Sequence, residues 1–179
     1  MSSKFFPTIE SWQLPRAALV ASLDEMARDG RDGNEGIAFW LGRRTGGVAS
    51  ISHVVCLRGN DVVREPAHLH VGAGTLNDVA DLAIEHGVSI VGQIHSHGPY
   101  FGVDLSVTDR RYGIAVPHFL SVVAPDYALR PGTRIEDCGV HVFEAGAGYR
   151  RLDVGESVAR VLVSDHLGAM VLVAGSERP

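Results

Sequence analysis

The segment VSIVGQIHSHGPYFGVDLSVTD, residues 88–109, decides the fold because it joins a strand pattern to the start of a helix. The apolar stretch before the histidines predicts a short buried strand. His95 and His97 follow it, separated by one residue, so a strand would direct both imidazoles to one face. Ser106 can cap the next helix, with Asp109 in the first turn of that helix.

These polar side chains are of the types that bind a catalytic metal. Two imidazoles and one carboxylate are a common ligand set for catalytic zinc, which keeps a fourth position for water and lowers the pKa of that water to about 7. An HxH pair or an SxxD cap also occurs without a metal, and a second pair, His68 and His70, has no SxxD behind it. The combined pattern favours a metal site formed by His95, His97 and Asp109.

Helix and strand patterns alternate along the rest of the chain. The expected helices cover 15–30, 75–87 and 106–116, and the expected strands cover 35–44, 48–57, 88–94, 119–125 and 138–145. Thr75 is expected to cap the second helix, with Asp78 three residues later as in a capping box. The order αββαβαββ predicts a domain of the α/β or α+β class with a mixed sheet.

Composition limits the class of protein. A chain of 179 residues suits one domain, 1–179, with a core at about 15–145 and a C-terminal segment, 146–179, whose role the pattern does not define. The net charge of −5, with no block of basic residues, argues against a nucleic-acid partner. Cys56 and Cys138 lack CxxC spacing, which argues against a disulfide framework and a cysteine-rich zinc site.

Neither end of the sequence has a membrane or secretion pattern. The stretch MSSKFFPTIESWQL, residues 1–14, lacks the apolar centre of a signal peptide. The late apolar run GAMVLVAG, residues 168–175, is far shorter than the roughly 20 residues that span a bilayer. A cytoplasmic protein without a membrane partner is therefore expected.

The segment HSHGPYFGVDLSVTD, residues 95–109, resembles the HxHP…SxxD signature of the JAMM (JAB/MPN) zinc metalloproteases. NEGIAFWLG, residues 34–42, is similar to the early strand that carries the catalytic glutamate of that family. The resemblance covers roughly residues 15–145. It implies an MPN/JAB-like, cytidine-deaminase-like fold, in which helices flank a mixed sheet, and a bacterial stand-alone type with deubiquitinase-like activity.

The resemblance also implies a role for each matching residue. His95, His97 and Asp109 match the ligands of one catalytic Zn²⁺. Glu35 matches the glutamate that takes a proton from the zinc-bound water and passes it to the leaving amine. Ser106 matches the serine that helps to stabilise the oxyanion. The sequence by itself does not single out Glu35 from the other glutamates.

Two departures from the family pattern lie in one loop. Gly98 stands where the family usually has proline, and Pro99 follows it. Eleven residues separate His97 from Asp109, one more than usual, while the SxxD spacing is intact. A one-residue insertion in the loop explains both departures. Asp104 remains an alternative to Asp109 as a ligand, although no serine stands three residues before it.

The function implied by the resemblance is that of a zinc-dependent isopeptidase or peptidase. It would cleave after the C-terminal glycine tail of a ubiquitin-like protein, in deconjugation or in precursor processing, as bacterial members of the family do in conjugation or anti-phage operons. Tyr100 and Phe101 would border the groove for that tail or shield the site from solvent. Two alternatives stay open: a catalytically inactive MPN-type scaffold, and a zinc peptidase acting on a sulfur-carrier adduct. The sequence does not indicate the oligomeric state.

Overall fold

The structure is a computed structural model that describes residues 7–175. Its helices are α1 (Arg16–Gly30), α2 (Ala73–Glu85), α3 (Val107–Tyr112) and α4 (Val154–Arg160). Its strands are β1 (Ser11–Pro15), β2 (Ile37–Thr45), β3 (Val48–Leu57), β4 (Val62–Glu65), β5 (His68–Val71), β6 (Ser89–Ser96), β7 (Leu120–Ala124), β8 (Gly139–Glu144), β9 (Gly148–Arg151), β10 (Val161–Ser164) and β11 (Met170–Ala174). The outermost residues of the predicted N- and C-terminal segments, 1–6 and 176–179, lie outside the described residues.

Nine of the described strands form one mixed sheet in the order β10-β1-β3-β2-β6-β7-β8-β9, and β11 pairs with the second half of β3. β2 runs antiparallel to β3 and to β6, whereas β6 runs parallel to β7. The hairpin of β4 and β5 forms a separate two-stranded sheet. The predicted mixed α and β class is confirmed at this level.

Strand β2 lies inside the sheet, with β3 on one side and β6 on the other, and its two faces belong to different cores. Ala38 and Trp40 join the core that includes residues of α1. Ile37, Phe39 and Leu41 join the core that includes residues of α2. Because both faces are covered, the strand is apolar from Ile37 to Leu41 instead of alternating. Strand β2 is therefore covered on both faces, and it lies beside β6, which carries His95.

The predicted cap of the second helix is wrong. α2 begins at Ala73 with Gly72 at the N-cap position, and Thr75 lies inside the first turn. Both the amide and the hydroxyl of Thr75 donate to the carboxylate of Asp61, which precedes β4. A distant carboxylate thus satisfies a first-turn amide, so the predicted local capping box of Thr75 and Asp78 does not form.

Several elements were not predicted because their strands are short and their partners are distant. They are β1, the β4–β5 hairpin, β9, α4, β10 and β11. β1 lies between β3 and β10, and β11 lies along β3, so strands outside residues 15–145 extend the main sheet. The third helix ends at Tyr112, earlier than expected. Within the described chain, no helix combines the length and the apolar character needed to cross a membrane.

Candidate metal centre

The two histidines of the HSH segment are held by the middle of the sheet. His95 in β6 is aligned with Ile37 of β2 on one side and with Val123 of β7 on the other. The amide of His97, just past the strand, donates to the carbonyl of Ala124 at 2.9 Å. Both imidazoles are buried, and their Nε2 atoms lie 3.3 Å apart. The strand geometry therefore directs the two rings to one point, as the HxH spacing predicts.

The start of α3 delivers the carboxylate to the same point. Ser106 is the N-cap residue, and its Oγ accepts a hydrogen bond from the Asp109 amide at 3.0 Å. Asp109 Oδ2 in turn accepts one from the Ser106 amide at 2.8 Å, which completes the predicted capping box. The same Oδ2 lies 3.3 Å from His97 Nε2 and 3.6 Å from His95 Nε2. The cap thus fixes the side chain that faces the histidines.

The separations of these three atoms fit a small tetrahedral metal ion. Ligand atoms about 2.0–2.1 Å from a tetrahedral zinc stand roughly 3.4 Å apart. The Nε2, Nε2 and Oδ2 atoms here are 3.3, 3.3 and 3.6 Å apart. Within residues 7–175, His95, His97 and Asp109 are also the one group of three ligating side chains that converges in this way. Zinc binding at this site nevertheless stays a prediction.

The charges of the site favour a cation. Burial by itself would raise the pKa of Asp109, but hydrogen bonds with His95 and His97 outweigh it and hold that pKa well below its usual range. Burial would lower the pKa of His97, and its hydrogen bond with Asp109 and the charge of Glu35 raise it instead. Two carboxylates therefore set a negative potential around the imidazole nitrogens.

A backbone carbonyl orients the second histidine. His97 Nδ1 lies 3.1 Å from the carbonyl oxygen of Gly102, in the loop that follows the strand. An acceptor at this distance keeps a proton on Nδ1, so that loss of the Nε2 proton on metal binding would leave the lone pair on Nε2. Sequence reasoning missed this partner of His97, because glycine contributes only its backbone and no pattern marks a single carbonyl.

Glu35 lies in the same cleft as His97 and Asp109. It precedes β2, and its amide donates to the carbonyl of Glu65. The next residue, Gly36, is joined to Ser96 of β6 by two hydrogen bonds of 3.0 Å, so β6 positions Glu35 beside the histidines. Only 6% of Glu35 is exposed. Burial raises the pKa of Glu35 to about 7, with the charge of His97 opposing the rise and that of Asp109 adding to it.

Two clefts meet at the candidate centre. A cleft of about 340 Å³, here called the Glu35 cleft, is lined by Glu35, Ala67, His68, Leu69, His97, Phe101, Asp104, Leu105, Ser106, Thr108 and Asp109. A second cleft of about 370 Å³, here called the apolar cleft, is lined by Ile37, Phe39, Leu69, His70, Val71, Ala73, Leu76, Gln93, His95, Thr108, Asp109, Tyr112, Gly113 and Ile114. Asp109 lines both clefts, and the β4–β5 hairpin contributes to both. A bound substrate could therefore extend to either side of the centre.

Asp104, His68 and His70, whose roles the sequence leaves open, are not part of the group formed by His95, His97 and Asp109. Asp104 Oδ1 accepts from Arg110 Nη2 and lies 2.8 Å from His141 Nε2, so its carboxylate is not in the group formed by Asp109 and the two histidines. His68 and His70 are exposed on β5, where each lines a different cleft.

The two aromatic residues of the loop also differ in their surroundings. Phe101 lines the Glu35 cleft and not the apolar cleft. Tyr100 is 93% exposed, so it does not shield the centre from solvent in this conformation. Ser106 also lines the Glu35 cleft, and its side chain is exposed there.

Comparison with known proteins supports the fold alone. No protein-family model and no curated protein sequence matches the chain. The solution structure of a Desulfitobacterium hafniense protein is similar, with a TM-score of 0.63 and 17% identity over 87% of this chain and 94% of that one. A second solution structure, of a Salinibacter ruber protein, has a TM-score of 0.51 and 20% identity over 79% of this chain and 88% of that one. At such identities the similarity supports the mixed α and β architecture and no particular activity.

Proposed function

We propose that the protein is a zinc-dependent isopeptidase or peptidase of the JAMM type, with an MPN/JAB-like fold. The observation that carries the proposal is the convergence of His95, His97 and Asp109 within 3.6 Å beside a buried glutamate, Glu35. These residues and Ser106 are the ones that the resemblance to the JAMM motif assigns to the site. Their positions agree with the assigned roles, because each of them lines a cleft that meets at the centre.

In this mechanism, His95, His97 and Asp109 hold the metal. When bound, zinc would supply Lewis-acid polarisation of a substrate carbonyl and would lower the pKa of a water molecule. Glu35 accepts the proton of the attacking water and passes it to the leaving amine. A buried carboxyl group beside the ligands suits both steps, since it lies within the cleft and can accept a proton and then release it.

Ser106 has a separate task in the proposed mechanism. Its Oγ already accepts a hydrogen bond from the Asp109 amide, so the hydroxyl proton can be donated to another group. The side chain lines the Glu35 cleft and is exposed there. We assign this proton to the substrate oxygen on which negative charge develops, where one donor can contribute roughly 3 kcal/mol.

The two clefts give the substrate a direction. Glu35 lines one cleft and not the other, and it is the residue that protonates the leaving amine. The amine side of the scissile bond therefore belongs in the Glu35 cleft, and the acyl side belongs in the apolar cleft. A ubiquitin-like protein would supply the acyl side through its C-terminal tail. Among the described strands, β5 pairs with β4 alone, so its other edge is available to an extended tail.

A cleavage assay tests this function. The purified protein is incubated with a ubiquitin-like protein, encoded by a neighbouring gene, that ends in glycine and is fused to a reporter. We expect cleavage after the glycine tail, its loss with a chelator, and its recovery with Zn²⁺. Glu35→Gln should abolish cleavage and keep stoichiometric zinc, whereas Glu85→Gln on the exposed face of α2 serves as the matched control.

Four outcomes would count against the proposal. Full activity of Glu35→Gln would show that Glu35 is not the residue that transfers the proton. Cleavage that a chelator does not affect would show that the reaction does not require a metal. A protein that binds no zinc and cleaves no fusion would favour the inactive, metal-free scaffold. Cleavage restricted to a sulfur-carrier adduct would favour the other alternative.

A further inference from the structure

The loop between β6 and α3, residues 97–106, is attached to a fully buried histidine on a distant strand. His141 in β8 is 0% exposed, and its Nε2 lies 2.8 Å from Asp104 Oδ1. Asp104 is 55% exposed and lines the Glu35 cleft. Burying an imidazole costs free energy unless its polar atoms are satisfied, and Asp104 is the partner that satisfies Nε2. A loop residue of the cleft therefore has its anchor inside the core.

The same oxygen of Asp104 also accepts hydrogen bonds from two other donors. Asp104 Oδ1 accepts from the Leu105 amide at 2.9 Å and from Arg110 Nη2 at 2.8 Å. Arg110 follows Asp109 directly in α3, and it also donates to the Tyr149 carbonyl at 2.9 Å. A single carboxylate thus joins the loop, the helix that carries Asp109, and strand β8.

The backbone of the loop lies directly against β8. A Cβ atom placed on Gly139, the first residue of β8, would lie 1.7 Å from the carbonyl oxygen of Val103. Only glycine permits this approach, so the loop can pack on the strand next to the contact between Asp104 and His141. The loop therefore has two attachments to β8, one of backbone and one of side chains.

The attached loop also contacts the two predicted metal ligands that flank it, His97 and Asp109, through neighbouring residues. Gly102, two residues before Asp104, provides the carbonyl that lies 3.1 Å from His97 Nδ1. Gly102 has a positive φ of 66°, so the carbonyl direction depends on a backbone conformation that the loop must maintain. On the other side, Arg110 joins Asp104 to the helix turn of Asp109. In the chain, Asp104 therefore stands between Gly102, whose carbonyl contacts His97, and Arg110, which directly follows Asp109.

We propose that Asp104 and His141 form a positioning pair that holds the loop so that His97 and Asp109 keep the geometry required for metal binding. This inference rests on the proposed metal centre. The burial of His141 lowers its pKa in spite of the Asp104 carboxylate, which agrees with a neutral ring that donates from Nε2. The pair fixes to β8 the loop that carries the residue additional to the JAMM pattern.

The test measures zinc affinity, by competition with a chromophoric chelator, in the full-length protein. His141→Leu keeps an apolar volume in the core and removes the donor, so we expect a folded protein with roughly tenfold weaker zinc binding. His141→Gln keeps an N–H donor near the same position and should bind zinc within about twofold of the wild type. Asp104→Ala should resemble His141→Leu, and Asp81→Ala on exposed α2 is the matched control.

Two further measurements separate positioning from general stability. Asp104→Ala removes the acceptor of Arg110 as well as the contact with His141, so it should be the weaker single variant. The double variant Asp104→Ala/His141→Leu should bind zinc no more weakly than Asp104→Ala, because the contact with His141 is already lost there. With Co²⁺ as the probe, the visible absorption bands should change in His141→Leu and stay as in the wild type in His141→Gln. Metal-free unfolding midpoints are recorded for every variant, since a merely structural role would lower them and leave metal affinity unchanged.

The outcomes are distinguishable. Wild-type zinc affinity and an unchanged Co²⁺ spectrum in His141→Leu would overturn the positioning pair and leave the metal centre intact. A wild-type protein that binds neither metal would overturn the metal centre itself. Equal losses in His141→Leu and His141→Gln would also overturn the inference, because the donor would then be irrelevant.

Discussion

Three side chains from two elements define the candidate centre at the residue scale. His95 lies in β6 and His97 follows the end of that strand on the same face, and Asp109 reaches them from the first turn of α3. Each of the three donor atoms lies within 3.6 Å of the other two, in a region where both imidazoles are buried. The loss of one donor atom should therefore lower the zinc affinity strongly, because two protein ligands hold zinc much more weakly than three.

His97→Ala tests this dependence. We expect the purified variant to lose stoichiometric zinc in elemental analysis, since the substitution removes both a donor atom and the ring that the Gly102 carbonyl orients. His68→Ala is the matched control, because His68 belongs to the second HxH pair and is exposed on β5. An unchanged zinc content of His97→Ala would contradict the assigned site.

The start of α3 has two roles at the element scale. The capping box of Ser106 and Asp109 satisfies amides of the first turn and at the same time directs the Asp109 carboxylate to the histidines. α4 has a similar capping box, formed by Asp153 and Glu156, and neither residue lines either cleft. The two helices therefore allow the stability of a cap to be separated from its effect on the metal centre.

Ser106→Ala should lower the free energy of unfolding by about 1 kcal/mol, the usual contribution of a serine N-cap. It should also weaken zinc binding, because the Asp109 amide loses the acceptor that fixes its turn. Asp153→Ala removes the equivalent cap of α4 and should reduce stability with zinc affinity unchanged. Chemical denaturation and chelator competition measure both quantities, and a zinc affinity of Ser106→Ala equal to that of the wild type would contradict the second role.

At the scale of the whole molecule, an ion pair between buried Glu25 and partly exposed Arg58 joins α1 to the end of β3. Glu25 in α1 is 8% exposed, and its Oε2 accepts from Arg58 Nη2 at 2.8 Å. Burial by itself would raise the pKa of Glu25, but Arg58 outweighs it and holds that pKa below its usual value. The Arg58 amide also donates to the carbonyl of Ala174 in β11, so this residue connects the helix, the sheet and the C-terminal strand.

Arg58→Leu should destabilise the fold by about 3 kcal/mol at pH 7, because it leaves the Glu25 carboxylate buried without its main partner. Since the folded pKa of Glu25 is depressed, the stabilisation by the pair is present above the unfolded pKa of about 4.3 and is lost as the pH falls through the folded value. Without Arg58, burial should raise the pKa of Glu25 in the variant. The difference between wild type and variant should therefore shrink as the pH falls from the raised pKa of the variant to the lowered pKa of the wild type. Urea unfolding at several pH values measures it, and a pH-independent difference would contradict this account.

Local patterns predicted the parts of the fold that depend on neighbouring residues. α1, the hairpin of β2 and β3, β6, and the cap at Ser106 agree with the predicted elements. Elements whose formation depends on distant partners were missed: β1 is stabilised by β3 and β10, and the start of α2 by Asp61. Such pairings are set by the packing of the sheet and leave no local periodicity.

The sequence by itself determined that His95 and His97 share a face and that Asp109 begins a helix, because strand and helix periodicities act over a few residues. Only the tertiary structure decided that the carboxylate of Asp109, and not that of Asp104, meets the histidines. It also decided that Glu35 is buried in the same cleft, through the contact of Gly36 with β6. These choices depend on strand order and register, which bring together residues that are far apart in the chain, and such contacts form only when the whole sheet is assembled.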